Sequence, residues 1–365
     1  MREPNAVDFW RGLALVTIFV NHIPGVWWEF LTHRNISLSD SAELFVFLAG
    51  WSLRRVAEEG GERPPLGGLL LRLSGRAISI YAAQIFLTTL AIALIAAAAL
   101  ALDNPLLLEW NNSAAVFSDP VPAHVGLMLL THQLGYFDIL PLYVVLMLAG
   151  PVMVVLDRIS PALLIVASLG CYLAVLATGF NLPTWPVDGV WYFNPLAWQI
   201  VFVLGFLFAR ESRTGQPFAA ALPRLRWLAW PVVILAAVAL RTGWLPDPLQ
   251  VPEPTLFYVV DKTYLTPLRL GQFLMLVIAM TPLFSPIHRY VPGITEFFSA
   301  MGRNSLNVFC VASLLSLAGQ IARFIFGSAF LTDTAILAVG VGALRFTAWV
   351  SEWRSRARGS AKPAR

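Results

Sequence analysis

The chain has 365 residues, of which 58% are apolar and 13% charged, and its mean hydropathy is +0.70. Soluble domains of this length are not so apolar, so the composition predicts a multi-span membrane protein. A net charge of +4 and a pI near 9.3 would suit nucleic acid, but the basic residues are scattered between apolar runs and form no stripe, which excludes a nucleic-acid partner and leaves membrane lipids.

The first apolar segment starts within ten residues of Met1 and is followed by no small-residue cleavage site, so it is expected to stay in the mature protein. Runs of about 17 to 25 residues, long enough to span, fall at roughly ten places. They lie near 9–27, 40–57, 77–101, 137–156, 161–180, 195–210, 227–243, 264–283, 304–326 and 334–351, the sixth and seventh being short. The expected fold is an all-α, polytopic transmembrane helical bundle of about ten spans. Residues 1–352 form one integral-membrane domain, and 353–365 form a basic tail against anionic lipid.

Lys and Arg are retained on the cytoplasmic side. Arg54, Arg55, Arg63, Arg72 and Arg76, then Arg158, then Arg210, Arg213, Arg224 and Arg226, then Arg289 and Arg303, fall in alternate connections, and Arg354, Arg356, Arg358, Lys362 and Arg365 fall in the tail. Both termini are therefore expected to be cytoplasmic. The stretch Asp103–Tyr136 has no Lys or Arg and reads as a long outer loop. The outer connections are rich in Trp, Asn and acids, including Glu109, Trp110, Asn111, Trp185, Asp188, Trp191 and Asn194. Interfacial aromatic belts explain many such tryptophans. Rings among amides and acids are also what a carbohydrate surface uses.

Ionisable residues inside apolar segments are costly and mark function. In DFWRGLALVTIFVNHIPG, Arg11 and His22 are eleven residues apart, which places them on one helix face about 16 Å apart along the axis. Asp8 sits one turn before Arg11 and could hold its guanidinium. Arg11 could equally be a snorkelling anchor, and His22 an interhelical hydrogen-bonding residue; the Pro24-Gly25 break favours a functional His22 near water. Asp40 and Glu43 fit a capping box, and a carboxylate there could also orient the His22 ring. Further polar residues open later segments: Asp138, Asn194 with Gln199, Lys262 with Arg269, and Arg303 with Asn304. Each reads as a cap or a site residue. Arg269 runs against the positive-inside bias and calls for an anionic partner: Asp138, a headgroup or an acidic substrate. Cys171 and Cys310 lie mid-run in apolar segments and suggest neither disulfides nor a metal cluster, so no metal is expected.

DFWRGLALVTIFVNHIPG, DSAELFVFLAGW, FDILPLYVVLML, WYFNPLAWQIVFVLG, DKTYLTPLRL and GRNSLNVFCVASLLSL resemble, in order, segments of the OpgC family of inner-membrane acyltransferases, from Asp8 to about Leu317. The resemblance implies a roughly ten-span enzyme of the bacterial inner membrane that takes succinyl groups from succinyl-CoA inside the cell and esterifies osmoregulated periplasmic glucans outside. It implies no permanently bound cofactor, acyl-CoA being the donor substrate. The related superfamily's motif, an Arg followed after ten residues by a His in the first helix, matches Arg11 and His22. On this reading His22, Asp40 and Glu43 are catalytic. Asp8, Arg11, Arg303 and Asn304 bind the donor. Trp28, Asp138, Asn194, Gln199, Lys262 and Arg269 bind the acyl group or the acceptor. Glucan-synthesising membrane proteins are the protein partners this role would suit.

A transporter or flippase for a glycan or lipid-linked intermediate, with His22 and Asp40 relaying protons, is the alternative. It fits less well, because the sequence shows no internal repeat and no matched pair of broken hydrophobic segments.

Overall fold

The computed structural model describes residues 3–58, 64–210 and 223–360. Arg63, Arg213, Lys362 and Arg365 lie outside the described residues. Among the described residues there is no β-strand, only an isolated bridge between Pro183 and Val190. The helices are α1 (Ala6–Asn21), α2 (Ser41–Ala57), α3 (Leu66–Ala101), α4 (Ala114–Ser118), α5 (Pro120–Met128), α6 (Ile139–Ile159), α7 (Pro161–Thr178), α8 (Pro195–Arg210), α9 (Pro223–Thr242), α10 (Pro267–Met280), α11 (Phe284–Tyr290), α12 (Pro292–Arg303), α13 (Ser305–Phe326) and α14 (Phe330–Ser360).

Among the described residues a helix stands at each of the ten predicted places, and at seven of them the helical run is long and apolar enough to cross a membrane, the run at α10 being Pro267–Tyr290, which continues through a 3-10 turn into α11. Three are shorter, α1 and α8 with 16 residues and α2 with 17. The seventh segment, expected to be short, is a 20-residue helix whose first turns run back through Arg226 to Pro223. Proline suits the first turn of a helix, where its missing N–H costs nothing.

The stretch read as a long outer loop is folded. Pro105–Asn112 forms 3-10 turns, followed by α4 and α5, and Val116, Ala123 and Leu127 pack together against Ile92 of α3. Gln84 in the middle of α3 donates to the Phe137 carbonyl at 2.9 Å, so the segment returns alongside the second half of that helix. At 36 residues, α3 is about 54 Å long and exceeds the ~30 Å hydrocarbon core. Helices of five and nine residues are too short for a span-length window to register.

By internal contacts the chain divides into two compact units. The first comprises Met1–Asn35, Asp40–Phe45 and Ala279–Arg365; the second comprises Ile36–Ser39 and Val46–Ile278. In the first, α1 packs along α12, and α13 lies against α1 and α14. A Cβ on Gly12 would meet the Phe298 carbonyl oxygen at 1.9 Å, and one on Gly302 would meet that of Asp8 at 1.8 Å. Residues 8 to 12 thus run opposite 302 to 298, an antiparallel crossing in which each helix offers a glycine to the other's backbone. Helices in lipid gain little from hydrophobic burial against one another, so such close approach carries the association.

The second unit repeats the device where α2 crosses α8: a Cβ on Gly50 would meet the Phe202 carbonyl oxygen, and one on Gly205 that of Phe47, each at 1.9 Å. Here α3 packs on α6, and α6, α7 and α8 pack on one another. Arg54 and Asp157, both buried, close an ion pair at 2.5 Å between α2 and α6, with the guanidinium 4.4 Å over the Phe206 ring.

Candidate active site

The first unit holds Asp8, Arg11, His22, Trp28, Asp40, Glu43, Arg303 and Asn304. Helix α1 starts at Asn5, whose side chain accepts from the Asp8 N–H at 3.0 Å while its amide donates to the Asp8 carboxylate at 2.6 Å. The buried Asp8 carboxylate lies 3.7 Å from Arg11 Nη1, so the expected support of the guanidinium is present.

The other end of α1 is set by HIPG. His22 caps the helix at φ −88°, ψ 6°, its N–H bonded to the Ile18 carbonyl at 3.0 Å. Pro24 has no N–H to continue the ladder and Gly25 adopts φ +72°, a left-handed conformation that favours glycine. His22 is half-buried.

The carbonyls freed by this break are met from α13. Ser316 Oγ donates to the Phe19 carbonyl at 3.0 Å and Gln320 Nε2 to the His22 carbonyl at 2.6 Å. Arg323 donates through Nη1 to the Pro24 carbonyl and through Nη2 to that of Gly25 at 2.8 Å. Asp333, buried at the start of α14, accepts from Arg323 Nε and from the Trp27 N–H, each at 2.8 Å. Trp28 Nε1 donates to Thr334 at 3.0 Å, and the Trp27 and Trp28 rings pack on Phe330.

Asp40 and Glu43 form the predicted capping box. The Ala42 N–H donates to the Asp40 carboxylate at 2.8 Å, and the Glu43 carboxylate accepts from the Asp40 N–H at 2.9 Å. Thr17 and Ser41 share a hydroxyl–hydroxyl hydrogen bond. The first turn of α2 therefore sits beside α1 about five residues before His22. Arg303 is held by Glu296 at 2.7 Å and Glu352 at 2.9 Å, and Asn304 donates to the Ala300 carbonyl, closing α12.

The remaining predicted residues belong to the second unit. Asn194, fully buried, donates to the Phe180 carbonyl at 2.7 Å and caps α8 by accepting from the Leu196 N–H. Gln199 exchanges hydrogen bonds with Ser168 of α7, at 2.6 and 2.8 Å. These contacts give both residues an architectural role. Lys262 Nζ lies 5.6 Å from the Tyr192 ring centre and 5.3 Å from that of Phe193, Arg269 is buried, and Asp138 immediately precedes α6. His132 is buried in the turn before α6, and that burial lowers its pKa from 6.5, partly opposed by the Asn112 backbone carbonyl, which favours the protonated ring.

Reading the sequence missed Gln320, Arg323 and Asp333. The available signal was an arginine at the end of its apolar run expected to be outer, with an acid opening the next run, the same anomaly that singled out Arg269. No curated protein and no solved structure matches the chain. A sequence model of a known family, described as OpgC protein, matches residues 2–356, nearly its whole length.

Proposed function

Since the chain belongs to the OpgC family, we propose that it is a membrane-embedded O-acyltransferase of the bacterial inner membrane. It moves a succinyl group from cytoplasmic succinyl-CoA to hydroxyls of a periplasmic glucan. The observation that supports this reading is a single helix, α1, that carries a carboxylate-held arginine near its start and a histidine at its broken end. That separation, about 16 Å, is roughly half the hydrocarbon thickness.

In this reading Arg11 binds the donor's phosphates by charge-assisted hydrogen bonds, and His22 is the general base. The imidazole takes the proton of a sugar hydroxyl as its oxygen attacks the thioester carbonyl. The tetrahedral intermediate collapses by breaking the C–S bond, and the imidazolium returns the proton to the departing thiolate. The products are the ester and the free thiol of CoA. Proton transfer of this kind contributes about 10² to 10⁴ in rate. A carboxylate on the first turn of α2, Asp40 or Glu43, sets the tautomer and stabilises the imidazolium.

The test is mass analysis of periplasmic glucan from cells carrying the wild-type gene, the His22→Ala variant or no gene. The expected result is loss of acyl substituents in the last two, with unchanged glucan export and the variant still in the membrane. Near-normal ester content with His22→Ala would refute the base assignment. Loss of the glucan itself from the periplasm would point to transport instead.

A further inference from the structure

The end of α1 is held from outside itself. A helix leaves its last carbonyls without intrahelical donors, and here Pro24 removes one N–H that could have closed the end. In lipid such carbonyls must still be satisfied. Ser316, Gln320 and Arg323 are spaced i, i+4, i+7 and lie on one face of α13. Between them they catch four carbonyls along this end, Ser316 that of Phe19, Gln320 that of His22, and Arg323 those of Pro24 and Gly25. The backbone of His22 is thereby fixed on both sides, its N–H to Ile18 and its carbonyl to Gln320. Beyond it, the Arg323 fork grips two consecutive carbonyls and is itself oriented by Asp333, which also holds the Trp27 N–H. Only a planar, multi-donor cation can span such a set.

We infer that Gln320 and the Arg323–Asp333 pair are positioning residues that fix the backbone of His22 and so the direction of its imidazole, an inference that rests on the acyltransfer reading. They act through His22 and touch neither donor nor acceptor. Their loss therefore lowers kcat and leaves donor binding alone. Misplacement of a catalytic group by about 1 Å costs on the order of 10²-fold.

The experiment uses the full chain purified in detergent, with succinyl-CoA as donor and periplasmic glucan as acceptor. Gln320→Leu, Gln320→Lys, Arg323→Lys and His22→Ala are compared, and rates are taken per mole of monodisperse protein. The expected result for Gln320→Leu is a kcat about 10- to 100-fold lower, with KM for succinyl-CoA within about threefold of the parent. Gln320→Lys, which restores a donor to the His22 carbonyl, regains most of that loss. Arg323→Lys, which keeps the charge beside Asp333 but not the fork, falls at least fivefold in kcat.

A purely packing role predicts the reverse order, with Leu tolerated and Lys worse, and that order overturns the inference. So does parental kcat in Arg323→Lys. If Gln320→Leu fails to accumulate folded, the Gln320→Lys and Arg323→Lys constants decide by the same criteria. Ester formation by His22→Ala would sink the base assignment. An inactive His22→Ala beside parental Gln320 and Arg323 variants would sink this inference alone.

Discussion

Replacing Arg54 by Met removes one half of an ion pair whose side chains are 3% and 5% exposed and whose charged atoms stand 2.5 Å apart. The variant keeps most of the aliphatic stem but loses the guanidinium over the Phe206 ring together with the charge, and the lost charge dominates the effect. It leaves the Asp157 carboxylate buried without its guanidinium, whereas Glu58, 3.4 Å from Arg54 Nε and 24% exposed, remains open to solvent and contributes little. Removing one partner of a buried pair costs about 3–5 kcal/mol, while replacing both by apolar residues of similar volume is often neutral. Arg54→Met and Asp157→Leu are therefore each expected to destabilise by about 3–5 kcal/mol, and the double variant to recover most of that loss. The assay is equilibrium unfolding of the four proteins in one detergent, read as a double-mutant cycle. A double variant as unstable as the sum of the singles, or an Arg54→Met protein as stable as its parent, would refute the reasoning.

Asp40→Asn separates capping from catalysis: asparagine caps a helix as well as aspartate, so stability should be unchanged while ester formation falls if the carboxylate acts on His22, and full activity would leave Asp40 a cap alone. Gly302→Ala places a methyl group 1.8 Å from the Asp8 carbonyl oxygen, where backbone must move. Overpacking of this kind costs about 1–3 kcal/mol or more, and the thermal midpoint of Gly302→Ala should drop well below that of Gly293→Ala, since a Cβ there meets nothing within 4 Å. For His132 the folded pKa lies below the unfolded 6.5, so the unfolded chain takes up the proton first as pH falls. The contribution is complete above about pH 6.5 and lost on acidification. His132→Gln should thus show a smaller drop in thermal midpoint between pH 7.5 and 5.5, and an equal slope would contradict the burial argument.

The positions of the long helices were legible because their signal is local: a run of apolar side chains broken by Arg, Pro or Gly. The same locality made the capping box at Asp40 and Glu43 readable, as well as the support of Arg11 by Asp8, one turn away. What escaped depends on distant partners. Nothing near Gln320 announces that its amide reaches the carbonyl of His22, 298 positions earlier. Asn194 and Gln199 read equally as caps or as site residues, and their hydrogen bonds to the Phe180 carbonyl and to Ser168 could not be foreseen from their neighbours in the chain. The fold of residues 105–138 was hidden for a different reason, being built from helices shorter than any spanning window.

The glycine crossing of α1 and α12 has a mechanical corollary. Two backbones in contact at Gly12 and Gly302 leave no clearance for one rod to slip or roll past the other. Any rearrangement during turnover has to carry the two as one strut, and the separation of guanidinium and imidazole along α1 then acts as a fixed ruler rather than an adjustable gap.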